Sequence, residues 1–68
     1  MMTMGQAVDA ATEHHCRTYS DSDVLAATVS ELLDEPFIWV VEIHADHFSQ
    51  NLTYHVFMST GSVSEIRR

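Results

Sequence analysis

Five histidines and one cysteine stand in a chain of 68 residues, and they fall in groups. His14, His15 and Cys16 are contiguous, and His44-Ala45-Asp46-His47 forms a second group. Imidazole, thiolate and carboxylate are all zinc ligands, so His14 or His15 with Cys16, His44 and His47 would make a metal site if they converged. The spacing works against this. Neighbours on a helix diverge by about 100°, so at most one of His14 and His15 joins Cys16. No C-x-x-C pair accompanies them. The expectation is no metal and no cofactor, with His14, Cys16, His44 and His47 as the ligand set of an alternative, a small metal-binding protein.

Two further pairings imitate catalytic ones. Glu42 and His55 on adjacent strands would pair as acid and base, and Cys16 beside His15 as nucleophile and base. A chain of 7.7 kDa leaves little material for a pocket, an oxyanion hole and an orienting group. Gly5 and Gly61 are isolated, so no glycine-rich phosphate loop exists either. The chain reads as non-enzymatic.

Charge says more. Ten Asp and Glu face three Arg, with no Lys, for a formal net charge of −7. A phosphate backbone is neutralised by clusters of Lys and Arg, so the charge argues against direct nucleic-acid binding, and none is expected. Apolar residues make up 46% of the chain, too many for intrinsic disorder. One cysteine cannot form an intramolecular disulfide, Met1 to Ala11 lacks the pattern of a signal peptide, and Phe37–Val41 is the longest apolar run. A bilayer needs about 20 such residues. A cytoplasmic protein with no membrane association is expected.

The elements that must position these groups follow from periodicity. The chain reads as one small domain over residues 1–68, with 1–5 a loose leader and 61–68 a tail or edge element. Gln6 to Arg17 reads as a helix, with Ala7, Ala10 and Ala11 as helix formers and Val8, Ala11 and His15 on one face, Tyr19 continuing the stripe. A competing reading makes His14–Tyr19 a strand. Ser20 to Glu35 reads as a second helix, capped by Ser20 or Asp21, with Leu25, Val29, Leu32 and Leu33 at helical spacing and Pro36 as its stop.

Phe37–Ala45 and Leu52–Thr60 alternate as strands. Opposed residues share a face, so Trp39, Val41 and Ile43 must meet the even-numbered Tyr54, Val56 and Met58 across a loop of even length. A six-residue loop would pair Trp39 with Met58, Val41 with Val56, Ile43 with Tyr54 and Glu42 with His55. A four-residue loop would bring His44 opposite His55. The fold class is α+β: one or two helices packed on an antiparallel β-hairpin in αα-ββ order, with residues 62–68 as a short third strand, a helical turn or a tail. The Trp39 face would meet Leu25, Val29 and Leu32. On the other face Ile38, Val40 and Phe57 form an apolar patch suited to a homodimer or a partner.

The acids are uneven. All but Glu65 precede residue 47, opposed there only by Arg17. Asp21, Asp23, Glu31, Asp34 and Glu35 lie on or beside the expected second helix, the last two at the end where its dipole disfavours them. In size and charge, though in no motif, the chain is similar to small phage and mobile-element proteins that inhibit host defence, anti-CRISPR proteins among them. The similarity carries over no residue. The expected function is an inhibitor that docks these five acids on the basic, nucleic-acid-binding groove of a partner protein. A structural subunit of a larger assembly is a further alternative.

Overall fold

Thr3 and Gln6 start the first element of the computed structural model, which describes residues 2–32 and 35–66, with only the backbone of Leu32, Glu35 and Pro36. The Thr3 side chain accepts from the Gln6 amide at 3.2 Å and the Gln6 side chain from the Thr3 amide at 2.9 Å, a capping box that opens helix α1 (Met4–Thr18). Met2 to Gly5 are therefore not a loose leader; Met1 lies outside the described residues. Trp39 adds a second tie, its indole N–H donating to the Met2 carbonyl at 3.1 Å. The buried stripe of α1 is Ala7, Ala11 and His15, one residue every four. Alanine at the first two positions lets the helix axis approach the sheet closely.

Four strands follow: β1 (Val24–Leu32), β2 (Glu35–Ala45), β3 (Leu52–Phe57) and β4 (Val63–Ile66). They form one antiparallel sheet in chain order, so β1 and β4 are its edges. The α+β class holds, with one helix on a four-stranded sheet in place of two helices on a hairpin.

The expected helix over Ser20–Glu35 is a turn followed by β1. Leucine spacing favoured a helix, but Val24, Thr28 and Val29 are β-branched and suit a pleated surface. β2 also demands a partner. Its eleven residues exceed the six of β3, and β1 pairs along it from Val24↔Ala45 to Leu32↔Glu35. Pro36 acts in the same direction, because the residue before a proline prefers extended backbone. Leu25, expected in the core, lies where the register shifts between Val24 and Ala26 and is 62% exposed. Val24, Ala27 and Val29 are the β1 side chains that pack on the core.

β2 and β3 keep the expected parity but slide by two residues. Trp39 opposes Val56, Val41 opposes Tyr54 and Ile43 opposes Leu52. Glu42 then meets Thr53 and Val40 meets His55, so neither the Glu42–His55 pair nor the His44–His55 pair forms. A two-residue slip leaves every side chain on its own face, so alternation alone cannot detect it. The register is held at the ends. Met58 leaves the strand, its amide donating to the Phe37 carbonyl at 2.9 Å, and the Gly61 amide donates to the Phe57 carbonyl at 2.7 Å. Gly61 has φ 75°, which glycine adopts without strain.

Beyond Gly61, residues 63–66 form the short third partner strand that the sequence left open, pairing Val63 with Val56 and Ile66 with Thr53. The core lies between α1 and the inner sheet face. Trp39, Val41, Ile43, Ala45, Tyr54 and Val56 are buried there against Ala7 and Ala11. Burial of each Val or Ile stabilises by roughly 1.5–3 kcal/mol.

Candidate functional site

His15 is the chemical centre of the interior. It ends the buried stripe of α1 and is fully buried, with Nδ1 2.9 Å from the Tyr54 hydroxyl and Nε2 3.0 Å from Ser22 Oγ. Ser22 Oγ donates to the Asp46 carbonyl at 2.9 Å, which commits its only proton. Nε2 therefore carries a hydrogen and donates to Ser22, while Nδ1 shares the second bond with the Tyr54 hydroxyl. Tyr19, Phe48 and Tyr54 enclose the ring at centroid distances of 5.1, 5.7 and 6.2 Å.

The order hydroxyl–imidazole–hydroxyl joins three parts of the fold. Through Ser22 the chain ties the α1–β1 turn to the turn after β2, and through Tyr54 it ties α1 to β3. Among the described residues, no buried side-chain polar atom lacks a partner.

Glu65 extends the chain outward. Its Oε1 accepts from the Tyr19 hydroxyl at 2.7 Å and lies 3.4 Å from the Tyr54 hydroxyl. Burial, with the Glu65 carboxylate beside it, pushes the Tyr54 hydroxyl well above the usual phenol range. Tyr19, Ser22, Asp21, His47 and Phe48 also line an open surface hollow of about 320 Å³ next to this corner.

The acids occupy a different place from the one expected. Asp21 and Asp23 are exposed in the turn before β1, and Asp46 joins them from the turn after the neighbouring β2. The Asp23 amide donates to Asp46 Oδ1 at 2.6 Å, and the Asp46 amide returns a bond to the Asp23 carbonyl at 3.1 Å. The first of these bonds holds the Asp46 carboxyl below the usual carboxylate range, and nearby His47 adds to the effect.

Glu31 lies at the far end of β1, eight residues from Asp23, a span of about 26 Å in extended chain. Asp21, Asp23 and Glu31 thus line one strand and its approach instead of one helix face. Asp34 lies outside the described residues, as does the side chain of Glu35. Arg17, the one described arginine, pairs with Glu13 on α1.

The outer face of the sheet has no element over it among the described residues. Its rows run Ser30–Val40–His55–Ser64 and Thr28–Glu42–Thr53–Ile66, with Ile38 beside Phe57 at one end and Ala26 beside His44 at the other. The expected apolar patch is reduced, because Ile38 is buried at 9% exposure and Val40 half-buried, leaving Phe57 at 38%.

The alternative metal ligands do not meet. His14 packs edge-on against Tyr54, Cys16 is exposed on α1, His44 lies on the outer face and His47 sits in the turn after β2. Among the described residues no group of three His, Cys, Asp or Glu could hold a metal ion. His15 and Cys16 likewise point apart. No helix among the described residues is long and apolar enough to cross a membrane.

The stripe Ala11–His15–Tyr19 was visible in the sequence, but the partners Ser22 and Tyr54 carried no local signal. They meet His15 only through tertiary structure. No protein family model, curated protein or solved structure matches the chain.

Proposed function

We propose that this chain is a small, non-enzymatic, cytoplasmic protein that binds a basic partner protein and blocks the groove with which that partner handles nucleic acid. One observation carries the reading: among the described residues the exposed charge is one-sided. Asp9, Asp21, Asp23, Glu31 and Glu42 are exposed, while the described arginine is already paired with Glu13. Such a field steers a basic surface into contact and holds carboxylates where phosphates would lie. Asp21 and Asp23 stand on a turn braced by Asp46 and the buried His15 chain, so they meet a partner already in place.

The test is displacement of DNA or RNA from candidate nucleic-acid-handling proteins at graded salt. Displacement should weaken steeply with salt and be lost when Asp21, Asp23 and Glu31 are changed together to Lys. Salt-insensitive binding abolished by Phe57→Glu would overturn this reading. It would favour the second one, a subunit or homo-oligomer packed through the outer sheet face, which the exposed Phe57 and Ile66 support.

A further inference from the structure

The two edges of the sheet are unequal. β4 is four residues long, whereas β1 has nine and, among the described residues, no strand on its outer side. In an antiparallel strand alternate residues direct both N–H and C=O to the same side, so β1 presents a row of unpaired backbone groups. Natural edges are usually blunted by Lys, Pro or shortness. β1 has no Lys or Pro, and between its two irregularities the register from Ala26 to Glu31 is unbroken. Ala26, Ala27, Thr28 and Ser30 are too small to screen the backbone.

Charge selects the occupant. Asp23 precedes this open stretch and Glu31 ends it, with Asp21 just before. A second copy added antiparallel about Ala27 would set Asp23 opposite Glu31 at both ends, and like charges directly opposed are destabilising. An incoming strand with cations at both ends meets complementary charge instead.

We infer that β1 accepts an extended segment of a basic partner protein as a fifth, antiparallel strand, with an apolar or β-branched middle and Lys or Arg at each end. Backbone pairing supplies the affinity and the flanking acids set the register. The span from Asp23 to Glu31 fits a segment of about nine residues. The inference rests on the acidic-binding reading above and names its mode.

The experiment titrates the full, ¹⁵N-labelled chain with a peptide of about nine residues, Lys at both ends and alternating Val and Thr between. Two further versions are N-methylated at odd or at even positions, and a fourth has Glu in place of Lys. The parent peptide should slow exchange of alternate β1 amides about tenfold or more, and salt should weaken it. One N-methylated version should bind and the other fail, because only alternate peptide donors face β1.

Binding by both N-methylated versions would overturn strand addition while leaving the acidic reading in place. Equal binding of the Glu peptide would overturn the choice of a basic partner. Protection of β1 that grows with protein concentration in the absence of peptide would show a second copy as the occupant. Absence of binding by every peptide also overturns the proposal, and DNA displacement then tests the acidic reading separately.

Discussion

The same four strands build two unlike surfaces. On the inner face Trp39, Val41, Ile43, Tyr54 and Val56 are buried beneath α1, whereas on the outer face Ala26, Thr28, Ser30, Glu42 and Phe57 meet solvent. Large apolar side chains on β2 and β3 commit one face to the helix. The opposite face is small, polar or charged along most of its area, with Ile38, Val40, Phe57 and Ile66 as the apolar exceptions. Stability is thus concentrated on one side of a sheet about one residue thick, and the other side is left available for contact.

That contrast predicts a gradient of effects. Ile43→Ala, which opens a cavity under α1, should cost about 2–5 kcal/mol. A domain of this size has roughly 3–10 kcal/mol in total, so a denaturant midpoint measured on this variant should fall sharply or vanish. His15→Ala should cost about 3 kcal/mol, since it removes a buried ring and takes one hydrogen bond from each of Ser22 and Tyr54. His15→Gln, which keeps a donor and an acceptor, should recover part of that loss in the same measurement.

Alkaline pH probes the same corner. Because the Tyr54 hydroxyl is raised in the folded protein, its contribution to stability is whole below about pH 10 and is lost as pH climbs toward the folded value. Tyrosinate absorbance should show one of the two tyrosines ionising only with unfolding. Acid probes Asp46 with the opposite sign. Its carboxyl is lowered on folding, so its stabilisation is present above about pH 4 and lost as pH falls through the folded value. Asp46→Asn should flatten the acid limb of the stability curve. Smallest of all, Thr28→Ala and Ser64→Ala on the outer face should change stability by about 0.5 kcal/mol or less. A larger loss at either would show that the outer face is covered.

Legibility followed the same division. β2 and β3 alternate large apolar residues with others, so their inner faces were readable, and the stripe of α1 was visible in part. β1 was not readable as a strand, because Ala26, Ala27, Thr28 and Ser30 are small on both faces and give no alternation. The leucines at helical spacing then dominated the reading. The capping pair Thr3 and Gln6 was present in the sequence but hidden by the expectation of a loose leader. The His15 corner joins residues 7 to 39 positions apart, and no local pattern encodes such a meeting.

The bond from Trp39 to the Met2 carbonyl also makes the molecule its own optical reporter. This is the only tryptophan in the chain, and it is 7% exposed at the junction of the helix lead-in with the sheet. Its emission should shift to longer wavelength when the first residues lift away, even while β2 and β3 remain paired. Fluorescence would then separate release of the amino-terminal segment from global unfolding, without any introduced label.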